Sequence, residues 1–412
     1  MQKTPKGFRL HIGLFGRRNV GKSSLLNAMT RQNVSIVSDI AGTTTDPVEK
    51  PMELLPVGPV LFIDTAGIDD VGSLGEMRVQ RTKQVFDRTD VGIIVVPAGE
   101  FGEFEQRILD ELQHREIPAI VVFNKCDIAQ PKPQRLRTLI DQKVRVVQAV
   151  ATEGKGILDL REALIRVAPD DFVNASSILG DLMPAGEMAV FVVPIDLEAP
   201  KGRLILPQVQ SIRDVLDHDQ YCMVVKEREL RDALERLNRP PALVVTDSQA
   251  FLRVAGDVPK SIPLTGFSIL FARKQGDLAE FVRGAMAIED LQPGAKILVA
   301  EACSHHPMAD DIGRVKIPRW LRQYVGGELE FTTVQGHDFP ENLGEYDLVI
   351  HCGACMWNRR EMLSRMIRCR KAGVPIANYG MTIAYTLGIF ERALEPFPAA
   401  LEVYHEQMGA GR

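Results

Sequence analysis

The sequence predicts an α/β protein with more than one parallel sheet, and two observations lead to this prediction. Short apolar runs typical of buried strands alternate with helical stretches along almost the whole chain. The chain of 412 residues is long enough for two or three domains with separate cores. Hydrophobic residues make up 45% and charged residues 25% of the sequence, which is usual for globular domains.

Composition narrows the class of protein. The formal net charge of −5 argues against extensive binding to bare nucleic acid. The six cysteines do not form a disulfide-type pattern, so a reducing, cytoplasmic environment is expected. The sequence has no apolar signal core at its start and no apolar run of transmembrane length, so no membrane association is expected. No internal repeat is apparent.

A phosphate-binding loop is predicted near the start of the chain. The strand-like run 9–15 leads into a glycine-rich loop, Gly16-Arg-Arg-Asn-Val-Gly21-Lys22-Ser23. The glycine backbone can turn its amides onto phosphate oxygens, Lys22 can reach the β- and γ-phosphates, and Ser23 can hold magnesium. A helix beginning at Ser24 adds its positive end to the same site.

Two later strands end in nucleotide-binding motifs. Strand 60–63 ends in Asp64-Thr-Ala-Gly67, where Asp64 can hold magnesium through water and Gly67 can offer its amide to a γ-phosphate. Strand 119–123 ends in Asn124-Lys125-Cys126-Asp127. The Asp127 carboxylate can accept two hydrogen bonds from guanine N1 and N2, and adenine offers nothing equivalent. Ala151 is expected to supply the last base contact. The three motifs, in order and each at a strand end, predict binding of GTP with Mg²⁺.

The catalytic water needs an unusual partner. Ile68 follows Gly67, and an isoleucine cannot orient an attacking water molecule as glutamine does in Ras-type switches. Glu76 is a candidate base or water anchor, and an ordinary solvated glutamate at a helix start is an equally good interpretation. Lys22 and Glu76 are therefore the predicted catalytic residues.

Asn19 and the segment 38–46 refine the type of GTPase. Both resemble the GTPases related to tRNA-modification and ribosome-assembly families. The resemblance implies that Asn19 helps hold a potassium ion, which supplies the charge of an arginine finger. It also implies slow, K⁺-stimulated GTP hydrolysis. Thr44 is the chosen magnesium ligand in the segment, although its threonine neighbours are not separated from it by sequence.

The middle of the chain, residues 171–265, predicts a small α/β domain without a catalytic grouping. Strand-like runs at 189–193, 203–206, 221–225 and 242–245 alternate with helical stretches. A domain without chemistry between two active ones favours a dimerisation function.

Residues 266–412 contain a cluster of thiols and imidazoles. Strand 296–300 delivers Cys303 and His305, and strand 347–350 delivers His351, Cys352 and Cys355. Ligands gather beyond the carboxyl ends of parallel strands, so these side chains are expected around one point. His337 follows another strand and is a weak outer candidate, whereas Cys369 within a helix is interpreted as a core or surface cysteine.

Three interpretations of this cluster stay open from the residues alone. Three thiolates and one imidazole make a sound tetrahedral zinc site. Three thiolates can also hold a 4Fe-4S cluster whose fourth iron is left to an imidazole, water or another ligand. Packing cysteines without a metal are the third and weakest interpretation.

The combination of these features resembles the maturation GTPases of FeFe-hydrogenases (the HydF type). Cys-x-His, a gap of about fifty residues, and His-Cys-x-x-Cys carry the resemblance on a chain that begins with a GTPase domain. The resemblance implies a 4Fe-4S cluster on Cys303, Cys352 and Cys355, with His305 or His351 at an exchangeable fourth position. It also implies a scaffold that receives a diiron precursor made with two radical-SAM maturases and transfers it to apo FeFe-hydrogenase.

The predicted architecture is therefore an N-terminal P-loop GTPase domain (1–170), a small α/β dimerisation domain (171–265) and a C-terminal parallel α/β cluster-binding domain (266–412). A homodimer or higher oligomer is expected, with no nucleic acid bound. The alternative is a tRNA- or ribosome-linked GTPase with a structural zinc ion. A cluster-dependent redox enzyme is a third hypothesis, but the sequence offers no substrate site for it.

Overall fold

The computed structural model describes residues 5–30, 48–54, 58–64, 83–169, 177–195, 204–302 and 311–410. The chain divides into two compact units, Met1–Ala175 and Ser176–Arg412. Among the described helices, none is both long and apolar enough to cross a bilayer.

The first unit is built on a six-stranded sheet. Its strands are β1 (Leu10–Phe15), β2 (Val48–Leu54), β3 (Gly58–Asp64), β4 (Val91–Pro97), β5 (Ala119–Asn124) and β6 (Arg145–Gln148). Their order is β2-β3-β1-β4-β5-β6. Strand β2 runs antiparallel to β3, and the other pairs are parallel. The central strands are apolar along their length because both faces of the sheet are covered.

Helices cover both faces of this sheet. They are α1 (Lys22–Thr30), α2 (Glu103–His114), α3 (Pro133–Asp141) and α4 (Ile157–Val167). One core cluster joins α1 and α4 to one face, and a second joins α2 and α3 to the other. This sandwich holds the carboxyl ends of β1, β3 and β5, which precede the nucleotide motifs, at one edge.

The second unit contains two four-stranded parallel sheets. The first consists of β7 (Met188–Val192), β8 (Tyr221–Val225), β9 (Leu243–Thr246) and β10 (Leu264–Gly266), in the order β10-β9-β7-β8. The second consists of β11 (Lys296–Glu301), β12 (Glu330–Gln335), β13 (Leu348–His351) and β14 (Ile376–Asn378), in the order β12-β11-β13-β14.

The helices of this unit pack around and between the two sheets. They are α5 (Leu206–Asp217), α6 (Leu230–Glu235), α7 (Phe251–Asp257), α8 (Phe267–Gln275), α9 (Leu278–Met286), α10 (Ile317–Val325), α11 (Arg359–Ala372), α12 (Tyr379–Thr386), α13 (Phe390–Leu394) and α14 (Pro398–Ala410).

One predicted strand is wrong. The run 203–206 was expected to be a strand, but Leu206 begins α5. Pro207 lies in the first turn, where its missing N–H costs nothing. The buried Gln208 side chain accepts a hydrogen bond from the Ile205 amide at 3.0 Å. These two residues set a helix start that outweighs the apolar run before them.

The two sheets of the second unit share one topology that the sequence does not reveal. In each, the first strand lies between the second and the third, and the fourth lies beyond the third. The connection from first to second strand has the same length in both, 193–220 and 302–329. In each, the fourth strand passes directly into a helix, α8 or α12. The two modules are therefore topological repeats.

The repeats meet through equivalent residues. Ser268 and Gly380 are the second residues of α8 and α12. The Gly380 amide donates to Ser268 Oγ at 3.2 Å, and a Cβ on Gly380 would lie 2.8 Å from Ser268 Cβ. This contact joins equivalent positions of the two modules, as the contacts across an isologous interface do.

Candidate functional sites

Tight backbone turns form the phosphate loop between β1 and α1. Gly16 and Gly21 have φ of +143° and +95°, a region that favours glycine. A Cβ at Gly16 would lie 2.4 Å from the Val95 carbonyl oxygen, and one at Gly21 would lie 2.2 Å from Asn124 Nδ2. Asn19 also has a positive φ of +61°. The loop therefore needs glycine at both predicted positions.

Lys22 lies against this loop and is buried. Its ammonium nitrogen donates to the Gly16 and Arg17 carbonyl oxygens at 2.5 and 2.8 Å. The first turn of α1, which includes Ser23 and Ser24, follows directly. Lys22 thus holds a positive charge at the point where the loop amides and a helix N-terminus converge.

Asn124 and Lys125 connect the base-recognition loop to the phosphate loop. Asn124 Nδ2 donates to the Val20 carbonyl oxygen at 2.9 Å, and Asn124 Oδ1 accepts from the Ala151 amide at 3.1 Å. Lys125 Nζ donates to the Asn19 carbonyl oxygen at 2.8 Å. Asp127 is exposed in the turn that follows. Asn124 and Lys125 are thus hydrogen-bonded to the phosphate loop, and Asn124 also connects that loop to Ala151.

Asp64, the predicted magnesium ligand at the end of β3, has a buried carboxylate oxygen that can still accept a ligand. Asp64 is 8% exposed, and its Oδ1 has no hydrogen-bond partner within the described part of the chain. Burial raises the pKa of Asp64, and the charges of Lys22 and Lys50 oppose this. Magnesium prefers oxygen ligands, so the Asp64 carboxylate and the Ser23 hydroxyl are of the chemical type that fits the ion.

Some of the predicted nucleotide residues lie outside the described ranges. These are Thr44, Gly67 and Glu76. Two features near the site were not predicted. Lys50 on β2 has a buried ammonium nitrogen whose charge acts on Asp64. Arg17 makes a bidentate ion pair with the buried Glu105 of α2. The distances are 2.9 Å from Nε to Oε1 and 3.3 Å from Nη2 to Oε2. Neither is visible in sequence, because each joins distant segments.

The second site lies at the carboxyl ends of β11 and β13. These strands are neighbours, with Ala300 paired to His351. Strand order reverses between them, which is where open parallel sheets place their ligands. The Cys352 amide donates to the Ala300 carbonyl oxygen at 2.9 Å, and Cys352 Sγ accepts from the Ala302 amide at 3.1 Å. The two strand ends that precede the predicted ligands therefore lie side by side, and the convergence of the ligand side chains stays a prediction.

Part of the predicted ligand set lies beyond these residues. Cys303 and His305 fall outside the described ranges. Within those ranges, no group of three or more His, Cys, Asp and Glu side chains is arranged to hold a metal ion. Cys352 and Cys355 are partly buried in a turn where Ala354 adopts a φ of +49°, rare for a non-glycine residue. A thiol that accepts a backbone N–H bond, in a turn with a second thiol, fits a metallocluster.

His351 is enclosed behind that turn. It is fully buried, and burial lowers its pKa to about 3, with the charge of Arg365 acting in the same direction. Nδ1 donates to the Cys352 carbonyl oxygen at 2.9 Å, and Nε2 accepts from Arg365 at 3.3 Å. Both ring nitrogens of the neutral imidazole are thereby engaged, so ligation of a metal by His351 requires one of these bonds to break.

The remaining candidates of the sequence occupy supporting positions. His337 stacks on Trp357, with ring centroids 5.9 Å apart, and its Nδ1 lies 2.5 Å from Glu361 Oε1. Cys369 is fully buried in α11, and burial raises the pKa of its thiol to about 12. Cys369 is therefore a core residue, which is one of the two interpretations that the sequence left open.

Three family models match consecutive parts of the chain. A 50S ribosome-binding GTPase model matches residues 11–125. The hydrogen maturase F dimerization domain matches residues 178–276, and the hydrogen maturase F tetramerization domain matches residues 279–396. The last two correspond to the two modules of the second unit, and each model covers less than half of the chain.

Curated relatives match part of the chain. A tRNA modification GTPase of Synechococcus sp. is 42% identical over 158 residues, which are 37% of this chain and 32% of that protein. A GTPase Der of Campylobacter hominis is 32% identical over 168 residues, 38% of this chain and 36% of that protein. The chain thus spans about a third of the length of these relatives. A crystallised Era variant of Aquifex aeolicus bound to GDP and aluminium fluoride is 20% identical, covering 55% of this chain and 98% of that one, with a TM-score of only 0.33.

Proposed function

Because the chain belongs to the hydrogen maturase F family of maturation GTPases, we propose that it is a scaffold and carrier built around a 4Fe-4S cluster. The cluster is held by Cys303, Cys352 and Cys355, with an exchangeable fourth position that His305 or His351 can fill. The scaffold assembles or transfers the diiron precursor to apo FeFe-hydrogenase. Its other partners are two radical-SAM hydrogenase maturases, all in the cytoplasm.

One observation carries this proposal. The Cys352 thiol accepts a hydrogen bond from the backbone amide of Ala302, and Ala302 immediately precedes Cys303 in the chain. The two cysteine-bearing segments therefore leave neighbouring strands at the switch point of the sheet, where a shared ligand is expected. An incomplete thiolate set leaves one iron open to exchangeable ligands, which suits a carrier better than a closed four-thiolate site.

The first unit supplies the GTPase. Bound magnesium neutralises charge on the β- and γ-phosphates, and Ser23, Thr44 and Asp64 are the residues that would hold it. Lys22 binds the phosphates, and Asp127 selects guanine while Lys125 and Ala151 support the base. Gly67 offers its amide to the γ-phosphate, and Glu76 anchors the attacking water. Hydrolysis would release the switch segments around Thr44 and Gly67 and so change contacts with partners.

Potassium stimulation is proposed for this hydrolysis, with Asn19 as the potassium ligand. We expect slow turnover that is faster in K⁺ than in Na⁺ at equal ionic strength. The Asn19→Ala variant should lose this difference while still binding GDP. Equal rates of the parent in the two salts would remove potassium from the proposal.

The domain limits of the proposal are 1–170 for GTP binding, 171–265 for dimerisation and 266–412 for the cluster. Dimerisation and tetramerisation models on the second unit support a homo-oligomer. Replacement of Lys22 by alanine should abolish hydrolysis and leave cluster content unchanged, because Lys22 and Cys352 belong to separate compact units. Loss of the cluster together with hydrolysis would contradict this modular arrangement.

Metal analysis tests the central claim. Iron, acid-labile sulfide and zinc are measured on protein purified and reconstituted without oxygen, for the parent and for Cys352→Ala. About four irons and four sulfides per chain, lost in the variant, are expected for the cluster. One tightly held zinc without sulfide would instead support the alternative, a tRNA- or ribosome-linked GTPase with a structural zinc. A tRNA modification GTPase is among the relatives that match part of the chain.

A further inference from the structure

A buried guanidinium lies directly behind the proposed cluster site. Arg365, in the middle of α11, is 4% exposed. Its guanidinium carbon lies 4.2 Å from the ring centroid of Trp357 and 4.4 Å from that of Phe339. Removing such a cation from water is unfavourable unless opposite charge and hydrogen bonds compensate the loss of hydration. The position of Arg365 therefore requires an explanation.

The hydrogen bonds of Arg365 all go to neutral acceptors. They reach His351 Nε2 at 3.3 Å, the Gly336 carbonyl oxygen at 2.7 Å and the Asp338 carbonyl oxygen at 3.2 Å. Burial lowers the pKa of Arg365 to about 10, so the group is still charged at neutral pH. Across the described ranges, no carboxylate is hydrogen-bonded to it.

The carboxylate that acts on Arg365 through space is already engaged elsewhere. Glu361 lies one helical turn earlier on α11, and its Oε1 is paired with His337 Nδ1 at 2.5 Å. The Cys352 and Cys369 side chains also act on Arg365 through space, and of these two the effect of Cys352 is the larger. His351 connects Arg365 to the Cys352 backbone, because its Nε2 accepts a hydrogen bond from Arg365 and its Nδ1 donates one to the Cys352 carbonyl oxygen. The positive charge of Arg365 is thus linked through His351 to the turn that carries Cys352 and Cys355.

We infer that Arg365 supplies the positive charge that compensates an anionic metallocluster bound to Cys352, and that it positions the turn of Cys352 and Cys355 through His351. This inference rests on the proposed function. Three thiolates around an iron–sulfur core leave the loaded site with a net negative charge, which grows on one-electron reduction. A fixed cation behind the turn stabilises the more negative state, and it equally favours an anionic iron complex as cargo.

The test is the reduction potential of the reconstituted cluster in the full chain. Dithionite supplies the electron, redox mediators set the potential, and the reduced cluster is counted by electron paramagnetic resonance. Arg365→Met should shift the reduction equilibrium at least tenfold towards the oxidised form, which is a fall of 59 mV for one electron. Arg365→Lys keeps the charge and should restore the parent equilibrium to within threefold.

Arg368→Met is the matched control. Arg368 lies on the same helix, packs on the same Phe339 ring and donates to the Phe339 and Pro340 carbonyl oxygens, so it anchors the same loop. It has no bond to His351, and its loss should leave the cluster equilibrium unchanged. Equal shifts in Arg365→Met, Arg365→Lys and Arg368→Met would mean that loop anchoring matters and would overturn the inference.

The outcomes remain decisive if a variant is unstable. Arg365→Gln is a second neutral variant, since it keeps a donor for the Gly336 carbonyl. If both neutral variants lose the cluster while Arg365→Lys retains it, the requirement for charge stands. If Arg365→Lys loses it as well, or if both neutral variants keep the parent potential, the inference is wrong. A parent that binds no iron would instead refute the proposed function itself.

Discussion

At the scale of single residues, Asn124 and Asp127 have different roles within one four-residue motif. Asn124 is 2% exposed and joins Val20 of the phosphate loop to Ala151 of the base loop. Asp127, three positions later, is exposed in a turn. A short sequence motif thus contains one buried residue that connects the two loops and one exposed residue for which we propose contact with the guanine base.

Replacing these two residues should therefore separate stability from base selection. Asn124→Ala leaves a buried carbonyl and a buried amide unpaired, so we expect the GTP-binding unit to lose about 1–3 kcal/mol of stability. Asp127→Asn should leave stability unchanged and shift preference from GTP to XTP. Calorimetry of the full chain measures the first effect on the transition that GDP raises. Nucleotide titration measures the second, and an Asp127→Asn protein that still prefers GTP would contradict the assignment.

Glu49 predicts a pH dependence in the same unit. Its side chain pairs with Lys6 at 2.5 Å and with Arg88. Burial alone would raise its pKa, but the two cations outweigh it and lower the pKa to about 2. Since the folded pKa lies below the unfolded value, the stabilisation is complete above about pH 4.5 and is lost as the pH falls towards 2.

The expected result for Glu49→Gln is a transition a few degrees lower than that of the parent at pH 6. The gap should narrow as the pH falls from about 4.5 towards 2, because the carboxylate binds a proton in the unfolded chain before it does so in the folded protein. Glu103→Gln is the control, because the Glu103–Arg107 pair has side chains 92% and 81% exposed and should contribute little. A gap that does not change between pH 6 and 3.5 would argue against the ion pairs as its source.

At the scale of elements, α9 lies so close to β14 that one of its positions admits no side chain. A Cβ at Gly284 would lie 1.9 Å from the Ile376 carbonyl oxygen and 2.2 Å from its carbon. These are backbone atoms and cannot rotate away. The approach of this helix fixes the fourth strand of the module that carries the thiol turn.

Gly284→Ala should accordingly destabilise the second unit by about 1–3 kcal/mol, through overpacking. Both tryptophans, Trp320 and Trp357, belong to this unit, so their fluorescence during urea unfolding reports on it. Gly256→Ala on α7 is the control, because nothing lies within 4 Å of its Cβ. That variant should be neutral or up to about 1 kcal/mol more stable. Similar losses in both variants would show that the close contact between Gly284 and β14 is not the cause of the destabilisation.

At the scale of the whole molecule, the repeated modules differ at their outer strands. The equivalent edge strands are β8 and β12. On β8, Tyr221 and Val224 are 61% and 43% exposed, whereas the exposed residues of β12 are polar: Glu330, Thr332 and Thr333. An apolar edge strand is a template for pairing with another strand. Since β8 lies within the match to the dimerization domain, a second copy of the chain is the expected partner.

Val224→Lys should then weaken the homodimer at least tenfold, because a lysine on an edge strand opposes strand addition. Light scattering after size-exclusion chromatography over a range of concentrations measures the monomer–dimer equilibrium. Leu158→Lys on α4 is the comparison, since Leu158 is 71% exposed on the other unit. An unchanged dimer in Val224→Lys, or equal weakening in both variants, would move the interface away from β8.

The sequence by itself determined the fold class, the phosphate and guanine motifs and the two strands that precede the predicted thiol ligands. These features depend on local spacing and on the rule that parallel strands end at one edge. Residues 203–206 were mispredicted because a helix start at Leu206 overrode their apolar pattern. Only the tertiary structure decided that Arg365 is buried behind Cys352, that both nitrogens of His351 are engaged and that two modules share one topology. Each joins segments far apart in the chain, and such contacts arise only when the chain packs.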